Sequence, residues 1–333
     1  MATIRDVASR AGVSVATVSA VMNETRFVAA ETKAGVFKAI AELNYQRDGI
    51  ARSLRRSQTG TIGALISDIT NPFFSDLIKG VDHIVHNLPE RGNVILCNTE
   101  EDPLRERFYL DLLMEKRIDG LIVAPAGGNE AYFAALVARS FPLVLVDRTL
   151  PTVDSDSVLV DNFGAATEVV RHLVERGHRR IAMLKATLHA TSIADRILGY
   201  QSVMQEAGLA ALPELIVESA SDVDAAHAAG RRILDLDPLP DAVFCTNNFM
   251  TLGLMRALHE RGLSCPEDVA IAGFDDFQWA DSFRPRITVV AQPAFEIGRE
   301  AARLLVARIA KTMDRPAVHR VLATSLIIRE SSL

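Results

Sequence analysis

The chain has 333 residues, 49% of them apolar and 23% charged. That balance excludes fibrous, disordered and small disulfide-stapled classes and leaves material for two or three packed units. No apolar run approaches the roughly 20 residues that span a bilayer, and MATIRDVASR carries charges where a signal peptide needs an apolar stretch, so a cytoplasmic protein with no membrane partner is expected. The formal net charge is −6, yet the first sixty residues hold nine Lys/Arg against five Asp/Glu, a head of +4 ahead of a remainder of −10. Such asymmetry suggests a head that binds DNA on a body that avoids it. Cys97, Cys245 and Cys265 form no C-x-x-C pair and are odd in number, which suggests neither a disulfide framework nor a thiolate metal site.

The first sixty residues have helical patterning and no strand run. Thr3-Ile4-Arg5-Asp6 fits a capping box and predicts a first helix that ends at Gly12, with Ile4, Val7 and Ala8 turned inward. Ser14 then caps a second helix over Val15 to Asn23 after a tight turn, which makes a helix-turn-helix. A third helix, about Glu31 to Leu43, is expected to close a small core with Val36, Phe37, Ile40 and Leu43. Asn44 to Gln58 is polar and Arg-rich and reads as a hinge.

From Thr61 onward, TIGALIS, NVILCNT, GLIVAP, PLVLVD, RIAMLKA, ELIVES, DAVFCTNN and VAIAGFDD alternate with amphipathic helical segments such as Ala165 to Arg176. Continuous apolar runs like Leu143-Val144-Leu145-Val146 are expected of parallel strands covered on both faces, so the body reads as doubly wound α/β. Ligands in that architecture bind beyond the carboxyl ends of the strands. G-x-G-x-x-G, G-x-x-x-x-G-K-[ST], G-x-S-x-G and H-E-x-x-H do not occur, so neither a cofactor nor an enzymatic activity is expected. His83 and His86 read as solvated helix residues, and no metal ligands are expected.

IRDVASRAGVSVATVSAVMN, followed by AELNYQ and ARSLRR, resembles the head and hinge of the lactose-repressor (LacI/GalR) family. The likeness continues through DITNPFF, DGLIVAP, LVDR, VDNFGAA, ERGHRRIAML, RILGYQSVM, VFCTNN with MTLGLMRAL, and DVAIAGFDD, and so runs nearly end to end. It implies an N-terminal all-α helix-turn-helix head plus an α/β body of two doubly wound parallel-sheet subdomains of periplasmic-binding-protein type. The head would take residues 1–47, a hinge helix 48–60, and an effector-binding and dimerisation body 61–333. One subdomain would span about 61–160 and 293–319 and the other about 161–292 and 320–333, with three chain crossings. The function implied is a homodimeric transcriptional repressor that binds a pseudo-palindromic operator under control of a small-molecule effector. A solute-binding protein or a sugar-processing enzyme on the same body fold is the alternative, and the head argues against both.

The second helix of a helix-turn-helix lies in the major groove with its first residues at base edges, here Val15, Ala16, Thr17 and Ala20. By resemblance Val15 and Ala16 stand at positions that vary with the operator, and Ala20 stands where many relatives have Arg. Contact of Val, Ala and Thr methyls with thymine methyls is the readout available. Ser14, Ser19 and Asn23 suit phosphate contacts, and Thr3 and Tyr45 complete the expected DNA-facing set. Leu54 matches the leucine that wedges into the minor groove at the operator centre, with Arg52, Arg55 and Arg56 near phosphates. Arg47-Asp48 replaces the common Pro-Asn, and Ala29 replaces the Ser that commonly caps the third helix.

The resemblance further places Phe73, Phe74, Asp147, Arg148, Ser192, Arg196, Asn247 and Asp275 around an effector cleft. Carboxylates there can accept from sugar hydroxyls, Arg196 and Asn247 can donate, and an aromatic face can cover a ring. Trp279 is expected either to line the pocket or to pack at its rim. Lys185, where relatives often have a small residue, would join Arg148 and Arg196 as a third cation and favour a sugar acid or sugar phosphate over a neutral sugar.

Overall fold

The computed structural model describes residues 2–23, 26–45, 59–88, 92–187, 190–277, 280–313 and 316–333. Expectations for Arg52, Leu54, Arg55, Arg56 and Trp279, and for the Asn23 side chain, fall outside the described residues. The chain divides into two compact units, Met1–Thr59 and Gly60–Leu333.

The first unit holds α1 (Ile4–Ala11), α2 (Val15–Asn23) and α3 (Ala30–Glu42). Both halves of the capping box form at Thr3 and Asp6, and Gly12 supplies the left-handed residue (φ 67°) that ends α1 and turns the chain into α2. Val7, Ala8, Val18, Val21, Val36 and Ala39 make the core, with Ile4, Ile40, Leu43 and Tyr45 packed partly against it. Phe37 differs from expectation: it is 54% exposed. Val36 and Ala39, three apart, hold the buried stripe of α3, and Phe37 sits a helical step outside it. Ala29 precedes α3 without a side-chain capping bond.

The second unit contains two six-stranded sheets. The first sheet has β1 (Thr61–Ile66), β2 (Asn93–Asn98), β3 (Gly120–Val123), β4 (Leu143–Val146), β5 (Asp156–Val160) and β11 (His319–Leu322), in the order β11-β5-β4-β3-β1-β2. The second has β6 (Ile181–Ala186), β7 (Ile216–Ser219), β8 (Ala242–Cys245), β9 (Ala270–Phe274), β10 (Thr288–Ala291) and β12 (Ser325–Ile327), in the order β12-β10-β9-β8-β6-β7. The helices between them are α4 (Pro72–His86), α5 (Pro103–Glu115), α6 (Glu130–Ala138), α7 (Asn162–Glu175), α8 (Thr191–Glu206), α9 (Val223–Leu234), α10 (Asn248–Arg261) and α11 (Ala294–Ile309).

Among the described residues every pairing is parallel except β10 with β12. That exception follows from chain direction. The chain leaves β11 at its carboxyl end and enters the second sheet after two residues, so β12 must run back along β10, whereas a parallel strand would need a long crossover. The other passages between halves, from β5 into α7 and from β10 into α11, also leave carboxyl ends. The carboxyl ends of both sheets therefore face one cleft. The last crossing falls after Leu322, three residues beyond the expected boundary, because His319–Leu322 pairs with β5 before the chain leaves.

Apolar side chains cover both faces of both sheets, as continuous hydrophobic strands require. Near the cleft, α11 returns to the first half and lies on α4. A Cβ on Gly80 would meet the Phe295 carbonyl, and one on Gly298 would meet that of Leu77. Glycine at both positions lets the two backbones touch, with the first turn of α11 at Phe295 against Gly80 and Gly298 against Leu77 in the middle of α4.

Candidate functional site

Two surfaces concentrate the functional side chains, one in each unit. In the head, Ser14 accepts from the Thr17 amide at 3.1 Å and so begins α2, while its hydroxyl meets the Thr17 hydroxyl at 2.9 Å. Arg26 donates to the same Thr17 oxygen at 3.3 Å. Val15 and Ala16 stand exposed at the start of the helix. Ala20 corrects expectation: it is 4% exposed, roughly 100° further round the helix than Ser19, on the flank that joins the buried Val21. Thr3 spends its hydroxyl on Asp6, donating at 2.8 Å, and Tyr45 lies partly against the head core. The Thr3 amide and hydroxyl hold the Asp6 carboxyl below its ordinary pKa.

In the body, most of the expected polar residues lie at a strand exit or a helix start, Arg196 in the second turn of α8 and Lys185 within β6, and the structure supplies the partners. Pro72 opens α4 after Asn71, whose side chain accepts from the Phe73 amide at 3.0 Å. This cap places Phe73 and Phe74 in the first turn, both buried and edge to face at 5.0 Å. Asp147 follows β4 directly and Asp275 follows β9 directly, each with a left-handed backbone, φ 65° and 74°. Asp tolerates that conformation better than most residues.

Arg148 donates from Nε to Asp147 at 2.7 Å, with its Nη1 3.7 Å from Glu101. Burial works against its charge, but Asp147 and Glu101 outweigh that and raise its pKa. Arg196 is fixed wholly by its own half of the body. It donates to Asn162 at 2.8 Å and to the Thr246 carbonyl at 2.6 Å, and its guanidinium lies 3.5 Å from the centre of the Phe274 ring. Burial pushes its pKa down, against the pull of Asp275 and then Asp147. Asp275 accepts from the Gln292 amide at 2.6 Å. Burial drives its pKa up to about 6, with Arg196 and Gln292 opposing and Asp147 assisting.

Two expectations change in detail. Lys185 lies beside Glu218 in the register of β6 with β7 and donates to it at 2.5 Å, so it is not a third unpaired cation of the cleft. Asn247 accepts from the Met250 amide at 2.9 Å and caps α10. The neighbouring Asn248 reaches across the cleft instead, donating to Asn71 at 2.9 Å. Further bonds join the halves: the Thr149 amide and hydroxyl donate to the Thr191 hydroxyl at 3.0 and 3.4 Å, and Ser221 donates to Glu101 at 3.2 Å. Ser192 is buried in the first turn of α8.

Sequence reasoning missed Ser67, Asn71, Glu101, Asn162, Asn248 and Gln292. An Asn before Pro at a helix start is the available signal for Asn71, and Gln292 follows a strand, β10, that stands outside the expected set. Ser67 Oγ, Arg148 Nη1 and Asn248 Oδ1 are buried at these exits without a hydrogen-bond partner. A cavity of about 240 Å³ is lined by Phe73, Asp275 and Gln292 and by the first turn of α11. Asp147, Arg148 and Arg196 lie outside its lining. Among the described residues no His, Cys, Asp and Glu group is arranged to hold a metal ion.

Comparison with known proteins agrees with this arrangement. Residues 3–48 match the model for bacterial regulatory proteins of the lacI family, and residues 170–332 match the periplasmic binding protein-like domain. A relative from Vibrio atlanticus (strain LGP32), HTH-type transcriptional repressor PurR, is 38% identical over 310 residues, covering 93% of this chain and 92% of that one. Among solved structures, a lac repressor dimer bound to operator and the anti-inducer ONPF superposes with TM-score 0.86 at 25% identity, covering 100% of this chain and 99% of that one. A transcriptional regulator CelR–cellobiose complex superposes with TM-score 0.75 at 30% identity, covering 99% and 100%. With a helix-turn-helix head, a two-sheet body whose strand exits converge on one cleft, and relatives matched along almost its whole length, the chain belongs to the LacI family of effector-controlled, DNA-binding transcriptional repressors.

Proposed function

We propose that the protein is a cytoplasmic homodimer whose paired heads hold a pseudo-palindromic operator, and that its effector is an uncharged, polyhydroxylated molecule of the sugar class bound in the body cleft. A two-fold reader needs two half-sites, and the similar lac repressor is a dimer on its operator. In this reading residues 1–47 form the head and 48–60 the hinge, with Leu54 at the minor groove and Arg52, Arg55 and Arg56 near phosphates.

The observation that carries the effector class is the charge pairing at the strand exits. Arg148 is held by Asp147 and Glu101, Lys185 by Glu218, and Arg196 faces Asp275 and Asp147. A second anion at Arg148 would have to displace Asp147 and leave that carboxylate buried without its cation, which is costly. Hydroxyl groups ask for less. They both donate and accept, and so can satisfy the orphaned Arg148 Nη1, Ser67 Oγ and Asn248 Oδ1. Phe73 and Phe74 provide apolar cover. This replaces the sugar acid or sugar phosphate that three unpaired cations suggested.

Thermal-shift screening against neutral mono- and disaccharides, sugar acids, sugar phosphates and purines tests the proposal, because a cleft ligand stabilises the body whatever its regulatory sign. Stabilisation by neutral sugars, followed by changed operator affinity in their presence, is the expected result. Tight binding of sugar acids or phosphates with no response to neutral sugars overturns it.

A further inference from the structure

The helix that a helix-turn-helix offers to the major groove is here almost empty of side chains that can hydrogen-bond a base. Its first turn is Val15-Ala16-Thr17-Val18, and it is this turn that meets base edges. Val15 is 40% exposed and Ala16 is exposed beside it, whereas Val18 is buried in the head core. The Thr17 hydroxyl is already bonded to Ser14 and Arg26. Ala20, where a long side chain could reach a guanine, is a buried methyl. The helix carries no Arg, Lys, Asp, Glu or Gln at all, and its one Asn is its final residue. Bidentate readout of guanine by Arg or Lys, and of adenine by Asn or Gln from the first turn, is therefore closed to it.

One apolar mark remains in the major groove, the methyl at C5 of a pyrimidine. We infer that the head reads its half-site through C5-methyl groups, with Val15 and Ala16 as the reading residues. The inference rests on the DNA-binding role of the head and adds what that head recognises. Thymine and 5-methylcytosine both present the group. Val15 supplies two methyls and Ala16 one, on adjacent positions of an exposed helix start, so the contact covers one or two neighbouring base steps. Burying one methyl against an apolar side chain corresponds to about a three- to fourfold change in affinity. Phosphate contacts around it set the general affinity and its salt dependence without selecting sequence.

The test uses the full-length protein. Duplexes selected from a random library are resynthesised with uracil for thymine, one position at a time, which deletes only the methyl. The expected result is about a three- to fourfold loss at one or two positions per half-site, with the salt slope unchanged. Val15→Ser keeps the helix start and should abolish uracil sensitivity at one of them. Placing cytosine and then 5-methylcytosine at the sensitive position separates the two sources. Recovery with 5-methylcytosine means that the methyl alone is read, and no recovery means thymine itself is required, each in keeping with the inference. Selected sites that tolerate uracil throughout, or a Val15→Ser protein that keeps full uracil sensitivity, overturn it while leaving DNA binding intact. Failure to select any sequence would overturn the DNA-binding reading itself, and the inference with it.

Discussion

The two halves of the body solve the same local problem and arrive at different electrostatics. Each ends a central strand in an Asp with a left-handed backbone, Asp147 after β4 and Asp275 after β9, and each buries that carboxylate at the cleft. Asp147 has its cation one residue away: Arg148 donates to it at 2.7 Å, and the pair is closed before any ligand is considered. Asp275 has a neutral amide, Gln292, at 2.6 Å, and meets Arg196 only through space. The first carboxylate is an internal counter-ion. The second is the one whose charge the protein leaves unpaired at hydrogen-bonding distance, at a cost in stability, and that makes it the better acceptor for a ligand hydroxyl.

The largest expected effect comes from removing the cation that both carboxylates feel. Arg196→Met keeps much of the side-chain volume, but leaves Asp275 without an opposing charge and takes the donors from Asn162 and the Thr246 carbonyl. Breaking a buried charge network from one side costs on the order of 3–5 kcal/mol. Urea unfolding of the full chain should show that loss. A change under about 1 kcal/mol would mean that Arg196 is solvated in effect, and the contrast between the two aspartates would fall with it.

Asp275→Asn goes the other way. With its pKa raised from 3.8 to about 6 in the fold, Asp275 costs nothing below the lower value, where folded and unfolded chains both carry the proton. As pH rises between the two values the unfolded chain ionises first, and stability is lost until about pH 6. A rise of that size corresponds to roughly 3 kcal/mol at neutral pH, reduced by what Arg196 forfeits when its nearest anion is neutralised. A net gain of about 1–2 kcal/mol is expected for Asp275→Asn near pH 7.5, together with loss of the effector response. Asn suits a positive φ and still accepts from Gln292. Thermal melts from pH 4 to pH 8 check the sign: the stability difference between variant and wild type should open over pH 4–6 and then stay level. Asp147→Asn, which removes the nearer of the two carboxylates that hold Arg148, should destabilise the fold instead.

Much of this contrast is legible in the sequence, and the illegible part has a physical reason. LVDR and GFDD follow apolar runs, and residues just beyond parallel strands are where a doubly wound sheet puts its ligands. The patterning thus points to the positions just beyond each strand, and the family resemblance picks out Asp147, Arg148 and Asp275 among them. It cannot say which cation each carboxylate holds, because partners such as Glu101, Gln292 and Asn162 lie on other elements and are set by tertiary packing. Lys185 shows the same limit: only strand register puts Glu218 beside it. The capping box at Thr3 and the helix-turn-helix are local and readable in full, whereas the exposure of Phe37 depends on how three short helices settle on one another. Between Asn247 and Asn248 the chain offers two identical side chains in a row. Helix geometry gives one the cap and the other the bridge.

That bridge offers a smaller test of how far the halves act together. Asn248→Ala removes the bond to Asn71 and one orphaned oxygen, so the expected loss is about 1 kcal/mol. Asn71→Ala also removes a helix cap and should cost about twice as much. A double-mutant cycle isolates the shared contribution, expected at about 0.5–1.5 kcal/mol. A coupling of zero would mean that the two halves meet without a specific bond at this point, and that Asp147 and Asp275 report on separate bodies.

The smallest effect belongs to Lys185, and it sharpens the comparison most directly. Its partner Glu218 is half exposed and its own side chain is nearly covered, so the pair is a partly screened surface contact on the sheet edge. Such a pair contributes at most about 1 kcal/mol. Lys185→Gln should therefore lower the melting temperature slightly and leave effector affinity within about twofold, well inside the 1.4 kcal/mol that a tenfold change requires. The ammonium is held by Glu218 on β7, while the ligand-facing charge balance is set by Arg148, Arg196, Asp147 and Asp275. Glu218→Gln is the complement: it releases the cation without moving the strand, and weak new binding of sugar acids should appear. If Lys185→Gln instead cost tenfold or more in effector affinity, the lysine would be a ligand contact, the cleft would carry a third working cation, and the preference for uncharged ligands would reverse.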